Sequence, residues 1–354
     1  MQHFIVSRDD SIYQAWPDLA LTQSGRLVCV FSECTHHFKR TFTRIVCVIS
    51  DDRGVTWSEK RPISEPLHKQ VEDDPHWNCA RITALSDGRL IVIVDRIAGE
   101  EEGNKGGEQS NWFFFSDDDG ETWTGPMATP FDGMVPDQVI EIPSGQHEGR
   151  WLVSTHKGLQ GPDRKLWEQR CWYSDDAGAT WEGPFIAASS TEYQLCEGSI
   201  MALPTGELVC YLRENSGQGF GAFKTMSRDG GSTWSELVEF PLCGCHRPVS
   251  GLLQSGHVLI TYRFLQGGAG PHGWGTQNFF AALTDQESCL AESRKDAHAR
   301  IMPIAYDRSD RADLGYSGWV QFPDGEIYIV YYIKDDAPQA HIRGCSLRED
   351  EFYV

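Results

Sequence analysis

The sequence predicts an all-β protein folded as a six-bladed β-propeller, and two repeated patterns carry this prediction. The first is an eight-residue box written four times, as SDDRGVTW, SDDDGETW, SDDAGATW and SRDGGSTW. The second is a hairpin of two apolar runs around a central glycine, written six times with no helical pattern between the copies. Copies this even favour six four-stranded blades over a two-domain β-sandwich. We therefore expect one domain over residues 1–354.

Each box follows an alternating apolar run, which is typical of a strand. The boxes begin at Ser50, Ser116, Ser174 and Ser227. Inside the box, Asp-x-Gly predicts a tight turn, because glycine adopts backbone angles that other residues avoid. The serine and aspartate can bond the amides of that turn, and the tryptophan can pack beneath it. We interpret the box as a structural clasp between two strands rather than as a calcium or ligand site.

The six hairpins supply the two inner strands of each blade. Their turn glycines are Gly25, Gly88, Gly145, Gly206, Gly256 and Gly325. The last hairpin is followed by one clear strand, around His341–Leu347. We expect the N-terminal segment His3–Arg8 to add the missing outer strand, which would close that edge.

Composition argues against several classes of function. The 354 residues carry a net charge of −20, so a nucleic acid or an anionic membrane surface would be repelled and is not an expected partner. No apolar run reaches the ~18 residues of a membrane span. The 11 cysteines, an odd number without a secretory signal, predict reduced thiols and a cytoplasmic protein. No cofactor is expected, and Cys243–His246 lacks the second ligand pair that would predict a metal site.

The turn glycines also give an internal register that locates a polar ring. The residue nine positions before each glycine should begin the inner strand, and the residue seven positions after it should end the second strand. Hairpin geometry places both at the end opposite the turn. The first set is Trp16, Cys79, Pro136, Glu197, Arg247 and Tyr316. The second set is Ser32, Asp95, Arg213, Arg263 and Tyr332. The third hairpin is four residues longer, and its matching position is His156.

Several further residues lie beside this ring in the sequence. They are Asp18, Arg81, Asp137 and His246. A propeller core has no structural need for several cations at one rim of an acidic chain, so the ring predicts a binding site. Two tryptophans near strand ends, Trp16 and Trp77, can stack on sugar faces there.

The S-x-D-x-G-x-x-W boxes on a six-fold strand repeat resemble the sialidase (neuraminidase) superfamily, whose boxes are called Asp-boxes. The resemblance covers nearly the whole chain. It implies a six-bladed propeller that acts on a carbohydrate, and the function must then be argued from individual site residues.

Two segments resemble the catalytic motifs of that superfamily. The GYS tripeptide resembles its nucleophile motif and implies Tyr316 as the nucleophile. The segment CEGSIMALPTGELVCYLR resembles the one that holds the activating glutamate and the second clamp arginine, which implies Glu197 and Arg213. Arg263 occupies the strand end that corresponds to the third clamp arginine.

The chemistry implied by this resemblance suits an acidic sugar. A neutral phenol can approach an anionic substrate that would repel a carboxylate nucleophile. A phenol is unreactive at its ordinary pKa of about 10, so a neighbouring glutamate takes its proton. Arginines then bind the substrate carboxylate through paired hydrogen bonds.

The chain departs from the family at the first clamp arginine. The family has Arg-Ile-Pro there, whereas this chain has Ala15–Pro17, AWP. Arg81 or Arg247 could compensate from a neighbouring blade.

A second departure concerns the acid/base aspartate, which the family carries in the loop after the first hairpin. In this chain that loop, Ser32–Arg40, has no aspartate. His36, His37 or Glu33 could replace it, since a histidine titrating near 6.5 can donate or accept a proton.

These features predict a sialidase-like exo-glycosidase acting on a terminal sugar that is expected to be acidic. A uronic acid or another nonulosonic acid fits this expectation, and a neutral sugar is a further candidate. Two alternatives stay open: a non-catalytic glycan-binding propeller, and a lyase that uses tyrosine or histidine as the base at a uronic acid. The glycine-rich segment Phe264–Phe280 is expected to form a lid over the site.

Overall fold

The computed structural model describes residues 1–71, 73–99, 107–160, 165–265 and 276–353. The chain forms two compact units, which are described in turn. The first unit comprises Met1–Pro136 and Asp307–Val354, and the second comprises Asp137–Tyr306. The expectation of one domain over the whole chain stays a prediction.

Almost all regular structure in the described residues is β-strand. The strands are β1 Gln2–Ser7, β2 Tyr13–Leu21, β3 Leu27–Cys34, β4 Phe42–Ser50, β5 Arg61–Pro62, β6 Leu67–His68, β7 His76–Ala84, β8 Leu90–Ile97, β9 Gln109–Ser116, β10 Thr124–Asp132, β11 Ile140–Glu141, β12 Trp151–Gln160, β13 Lys165–Ser174, β14 Glu182–Ser190, β15 Leu195–Ala202, β16 Leu208–Glu214, β17 Ala222–Ser227, β18 Val238–Phe240, β19 Cys245–Leu252, β20 Val258–Leu265, β21 Gln277–Thr284, β22 Arg300–Tyr306, β23 Leu314–Gln321, β24 Ile327–Ile333 and β25 His341–Leu347. The helical segments are α1 Gln286–Leu290 and the 3₁₀ turns Arg294–Asp296 and Glu349–Tyr353. Within the described part of the chain, no helix is both long and apolar enough to cross a bilayer.

The first unit contains three antiparallel sheets. Their strand orders are β2-β3-β4-β5, with β6 also pairing β4, then β7-β8-β9-β10, and β23-β24-β25-β1. In the last of these, the N-terminal strand β1 pairs with β25, with Phe4 opposite Gly344. The predicted closure of this blade by the N-terminal segment is therefore confirmed.

The second unit contains three more antiparallel sheets. Their strand orders are β11-β12-β13-β14, β15-β16-β17-β18 and β19-β20-β21-β22. Six sheets of this size, each built from consecutive hairpins, confirm the predicted all-β class of six-bladed β-propeller. The one irregular blade is the first, in which two short segments, β5 and β6, pair with the same strand β4.

The inner strands are apolar because they are buried on both faces. All eight residues of β3, LVCVFSEC, are buried, whereas most of the outer strand β10, TGPMATPFD, is exposed. Fully burying one large aliphatic or aromatic side chain stabilises the fold by about 1.5–3 kcal/mol. The blade cores thus lie on the inner strands and leave the strand ends for polar groups.

The eight-residue boxes bond their own turns, as predicted. In the first box, the Gly54 amide donates to Ser50 Oγ at 2.8 Å and the Thr56 amide donates to Asp52 Oδ1 at 2.8 Å. The Trp57 indole donates back to the Gly54 carbonyl at 3.1 Å. The box therefore acts as a clasp at the turn between two strands.

A β-bulge recurs in the inner strands, near the residue that lies nine positions before the turn glycine. The register shifts fall at Ala15/Asp18, Trp77/Ala80, Cys196/Ser199, His246/Val249 and Gly315/Ser317. Four of the bulges hold a non-glycine residue in the left-handed region, namely Trp16 (φ 53°), Glu197 (φ 51°), Arg247 (φ 48°) and Tyr316 (φ 37°). This conformation costs roughly 1–2 kcal/mol per residue, so the surrounding contacts must hold it in place.

Candidate functional site

In the first unit, a buried arginine holds the bulge beside Tyr316. Arg81 Nη1 donates to the carbonyl oxygen of Ser317 at 2.7 Å, and its Nη2 lies 3.4 Å from Asp18 Oδ1. The other oxygen of Asp18 accepts the Ile82 amide at 2.8 Å. This chain of contacts fixes the backbone that carries Tyr316.

The second unit repeats the same arrangement around Glu197. Arg247 Nη1 donates to the carbonyl oxygens of Glu197 and Gly198, each at 3.2 Å. Its Nη2 lies 3.6 Å from Asp137, which also accepts the Ile200 amide at 2.8 Å. The proposal that Arg81 or Arg247 replaces the missing clamp arginine stays a prediction, and the contacts described assign both arginines to backbone support.

Asp95 has a related place in the first unit. Its carboxylate accepts the amides of Cys79 and Val135 and the side-chain amide of Asn78, each at 2.8 Å. Burial raises the pKa of Asp95, and these three hydrogen bonds oppose that rise. The carboxylate therefore joins the inner strand β7 to the segment after β10.

A cluster of hydrogen-bonded side chains lies at the strand ends of the first unit. Tyr13 donates its hydroxyl hydrogen to Asp313 Oδ2 at 2.5 Å, and Tyr332 donates to Asp313 Oδ1 at 2.9 Å. His37 Nδ1 lies 2.9 Å from Asp313 Oδ2 and 3.0 Å from the Tyr13 hydroxyl. Three elements thus converge on the Asp313 carboxylate: the start of β2, the loop after β3 and strand β24.

Aromatic rings form the immediate surroundings of this cluster. The ring of Trp16 meets the His37 ring edge-on at 5.3 Å, and Tyr332 lies 6.2 Å from Trp16 and 6.3 Å from Tyr316. Arg40 stacks its guanidinium over Trp16 at 4.2 Å. Tyr316, at 8% exposed, therefore shares an aromatic cluster with the groups that bind Asp313.

The loop after the first hairpin separates its three candidate acid/base residues. Glu33 is fully buried and binds Lys60 at 2.6 Å and Arg44 at 2.6 Å, so its charge is committed to an ion-pair network. His36 is exposed, and its Nδ1 accepts the amide of Phe38 at 3.1 Å. Of the three candidates, His37 is the one that reaches the cluster around Asp313.

Trp77 occupies a packing position. It is 3% exposed, its indole donates to the Glu65 carbonyl at 3.1 Å, and its ring meets Trp112 and Phe114 edge-on at 6.5 and 6.0 Å. These contacts place Trp77 within the core of its blade, and its expected role in stacking on a sugar stays a prediction.

In the second unit, Glu197 and Arg213 form a buried ion pair. Arg213 Nη1 donates to Glu197 Oε1 at 2.6 Å, and Arg213 Nη2 donates to Asn215 at 2.6 Å. The backbone amide of Glu197 donates to His156 Nδ1 at 3.2 Å. His156 in turn stacks on Trp167, with ring centroids 6.3 Å apart. The pair is less than one tenth exposed, so its charges meet each other rather than bulk water.

His246 is influenced by the charges of two of the predicted clamp arginines, Arg213 and Arg263. It sits opposite Arg263 in the β19–β20 register and is 6% exposed. Burial, followed by the positive charges of Arg213 and Arg263, holds the pKa of His246 well below 6.5. The imidazole is therefore neutral at pH 7 and adds no positive charge to the arginines around it.

Sequence reasoning missed Tyr13, Asp313, Asn215 and Arg40. Tyr13 and Asp313 each lie three positions before a left-handed residue, Trp16 and Tyr316, and hence share one register position in their blades. Extending the count from the turn glycine by three residues would have found both.

Two further expectations concern other parts of the chain. Residues 266–275 of the expected lid, Phe264–Phe280, lie outside the described residues. All 11 cysteines are thiols, and only Cys243 is exposed. Over the residues that the structure describes, no group of three or more His, Cys, Asp or Glu is arranged to hold a metal ion.

The six blades with their repeated boxes define the class of sialidase-like β-propellers. The family model described as "BNR repeat-like domain" matches residues 25–263. The chain belongs to this family, and its resemblance to the sialidase superfamily is confirmed.

Comparison with individual proteins agrees with this class. A sialidase from Clostridium perfringens is 25% identical over 191 residues, which are 50% of this chain and 46% of that relative. The chain therefore spans about half the length of this curated relative.

Solved structures show the same fold. A protein of unknown function from Dyadobacter fermentans matches with a TM-score of 0.79 at 22% identity, covering 98% of this chain and 97% of that one. The intramolecular trans-sialidase from Ruminococcus gnavus matches with a TM-score of 0.70 at 15% identity, covering 99% of this chain and 98% of that one. At these identities the likeness establishes the fold alone.

Proposed function

We propose that this chain is a sialidase-like exo-glycosidase that hydrolyses a terminal acidic sugar, with Tyr316 as the nucleophile. One observation carries the proposal: Tyr316 and Glu197 occupy the same strained bulge position in their blades, with φ of 37° and 51°. Both are also the residues that the family resemblance selects.

The strain argues for function because it is maintained at a cost. A non-glycine residue in the left-handed region is kept only where its neighbours hold it, and such residues cluster at active sites. Here the neighbours are buried arginines, with Arg81 bonding the carbonyl after Tyr316 and Arg247 bonding the carbonyl of Glu197. A chain selected for stability alone would place glycine or a regular strand at these positions.

The second unit supports an acidic substrate. Arg213 and Arg263 are both buried, and His246, whose pKa their charges lower, is neutral. Arginine is suited to bidentate carboxylate binding, so the family resemblance that implies Arg213 and Arg263 as clamp residues supports an anionic substrate. The resemblance also implies Glu197 as the base that takes the phenol proton, and this role stays a prediction.

His37 is the acid/base residue in this proposal. Its side chain is 21% exposed, so it combines contact with solvent and contact with the aromatic cluster around Tyr316. A histidine can deliver a proton to a departing sugar oxygen and later accept one from water.

A lyase is the second candidate, because the Tyr13 hydroxyl lies 3.0 Å from His37 Nδ1 and Tyr13 belongs to the same buried cluster as Tyr316. A tyrosine and a histidine together can abstract the proton next to the carboxylate of a uronic acid. A lyase would leave an unsaturated sugar that absorbs in the ultraviolet, whereas a hydrolase would not.

The test is a panel of aryl glycosides, namely sialosides, glucuronides, galacturonides and neutral sugars, assayed with the wild type, Tyr316→Phe and Tyr331→Phe. Tyr331 is a buried tyrosine whose hydroxyl faces His3 at 3.3 Å, away from the cluster, and serves as the matched control. We expect cleavage of an acidic glycoside, lost by roughly 10³-fold or more in Tyr316→Phe and retained in Tyr331→Phe.

Full activity in Tyr316→Phe would reject the nucleophile. Cleavage confined to neutral glycosides would reject the acidic substrate. If no glycoside of the panel is cleaved and uronate polymers yield a product that absorbs in the ultraviolet, the result would favour the lyase. If neither assay detects turnover but the protein binds glycans, the result would favour a binding propeller.

A further inference from the structure

We propose that Asp313 is the positioning residue of a proton-transfer dyad in which His37 exchanges protons with the substrate through Nε2. The inference rests on the proposed glycosidase function and specifies how its acid/base step is built. It also explains how the chain works without an aspartate in the loop after its first hairpin.

The hydrogen bonds around Asp313 assign the roles of donor and acceptor. Burial, followed by the charge of Asp313, holds the pKa of Tyr13 well above 10, so this phenol keeps its proton and must donate. Tyr13 and Tyr332 then supply one O–H each to the two oxygens of the carboxylate, at 2.5 and 2.9 Å. Because both hydroxyl groups donate, the Asp313 carboxylate is the acceptor in both hydrogen bonds.

The same reasoning fixes the tautomer of His37. Its Nδ1 lies 2.9 Å from Asp313 Oδ2, and an ionised carboxylate can only accept in that contact. Nδ1 therefore carries a hydrogen, and Nε2 is the nitrogen that gains and loses the mobile proton. An aspartate that accepts Nδ1–H in this way fixes the tautomer and the orientation of the imidazole ring.

The loop is held rigidly enough for this purpose. Arg40 Nε donates to the His37 carbonyl at 2.8 Å, and the same guanidinium lies over Trp16. Phe38 stacks on the imidazole at 4.4 Å, with ring planes 23° apart, and Trp16 meets it edge-on. Contacts on the ring and on the backbone leave the imidazole one orientation, as a proton donor requires.

Asp313 reaches His37 from a distant part of the chain, 276 residues away. It directly precedes β23, the strand that carries Tyr316. The fold therefore places the positioning carboxylate and the proposed nucleophile on one strand, while the proton carrier comes from the loop of another blade.

The proposed step balances as follows. Tyr316 Oη attacks the anomeric carbon while the bond from that carbon to the leaving oxygen breaks, and the Nε2 proton of the imidazolium passes to that oxygen. The phenol proton goes to a general base. In the second step, neutral His37 takes a proton from water through Nε2, the hydroxide oxygen bonds to the anomeric carbon, and the bond from that carbon to Tyr316 Oη breaks. The Tyr316 phenolate then takes back its proton from the general base.

The first arm of the test varies the leaving group. For the sugar that the aryl panel identifies, kcat/KM is measured on a methyl glycoside and on a 4-nitrophenyl glycoside in the wild type, Asp313→Asn, His37→Gln and His298→Gln. Both dyad variants should lose about 10²-fold on the methyl glycoside and less than about threefold on the 4-nitrophenyl glycoside. A 4-nitrophenolate departs without a proton, so only an acid/base defect distinguishes the two substrates.

His298→Gln is the matched control, since His298 pairs with Asp285 at 3.0 Å in the second unit and is largely exposed. It should leave both rates unchanged. Equal losses on both substrates in Asp313→Asn would mean that the residue is merely structural, and no loss at all would reject the dyad.

The second arm needs no turnover. Long-range ¹H–¹⁵N spectra of the imidazole rings, with His37 assigned by its absence in His37→Gln, report which nitrogen is protonated in the neutral ring. The dyad predicts hydrogen on Nδ1 in the wild type, and the opposite tautomer overturns it. If no aryl glycoside is cleaved but the spectra show hydrogen on Nδ1 of His37, the results would reject the glycosidase function while supporting the positioning role of Asp313.

Discussion

The two units each hold a buried or half-buried carboxylate near a strained bulge, but they compensate its charge in different ways. Asp313 in the first unit is bonded by two phenols and an imidazole, all of which are neutral when the imidazole is unprotonated. Glu197 in the second unit is bonded by the guanidinium of Arg213. The guanidinium of Arg213 gives its pair with Glu197 a constant charge. The net charge of the Asp313 cluster changes when the imidazole gains or loses a proton. The arrangement in the first unit therefore suits proton transfer, and the one in the second unit suits a fixed charge pattern.

The backbone at the two bulges, at Tyr316 in the first unit and at Glu197 in the second, is held in the same way. An arginine bonds a carbonyl at the bulge, and an aspartate pairs with that arginine while accepting an amide. The two sets are Arg81 with Asp18 and Arg247 with Asp137. The repeated blade thus fixes where a side chain is presented, and the neighbouring residues determine its chemistry.

The largest effect should follow from removing the cation in the second unit. Arg213→Met leaves the Glu197 charge buried without its guanidinium, and such a change costs about 3–5 kcal/mol in the free energy of unfolding. Urea denaturation followed by fluorescence measures this loss. The double variant Arg213→Met, Glu197→Gln should recover part of it. A loss under about 1 kcal/mol would show that the pair is solvated and would remove the contrast between the units.

A smaller effect is expected in the first unit. Tyr13→Phe removes one neutral donor from Asp313 and should cost about 1.5–3 kcal/mol, the usual range for a hydrogen bond to a charged group. Tyr332→Phe, which removes the 2.9 Å bond to the other oxygen, is the matched comparison. The same urea experiment applies. Losses above those of Arg213→Met would mean that the phenols, rather than the arginine, dominate the electrostatic stability of the site.

The smallest effect concerns pH and the neutral histidine of the second unit. Since the folded pKa of His246 lies below its ordinary 6.5, the unfolded chain binds the proton more readily. The stability that His246 contributes is therefore complete above pH 6.5 and decreases as the pH falls. Between pH 6.5 and about 5.5 the loss from this residue amounts to about 1 kcal/mol.

His246→Gln should flatten the pH dependence of unfolding by that amount, measured by urea denaturation at a series of pH values. His257→Gln, in the same unit but outside the cluster, is the control. An unchanged slope in His246→Gln would show that His246 can be protonated in the folded protein, so that it would add a positive charge to the arginines around it.

The architecture was predictable because glycine turns and alternating strands are local signals. In the fourth hairpin, for example, the Gly206 amide bonds the Leu203 carbonyl at 2.9 Å, which closes the turn where the sequence places it. The pairing of β1 with β25 was also foreseen, since the last hairpin lacked an outer strand. The division of the first blade's outer edge into β5 and β6 was not, because segments of two residues leave no periodicity.

The site was predictable only along the inner hairpins. Counting from the turn glycines selected Tyr316, Glu197 and Arg213, which lie on the two inner strands of their blades. Asp313 escaped because it precedes its strand in a connection between blades, and its partner His37 lies in a loop of another blade. The turn-glycine count extended by three residues reaches Asp313, but its contact with His37 depends on tertiary packing, which no periodic pattern in the sequence reports.

The pairing of β1 with β25 has a consequence for how the chain is made. Gln2 lies opposite Ser346, so the first unit is assembled from both ends of the sequence, while the second unit is one continuous segment. At about 5–20 residues per second, a ribosome needs roughly 20 to 70 s to supply the partner of the N-terminal strand. The continuous unit is therefore translated in full before the last sheet of the first unit can be completed.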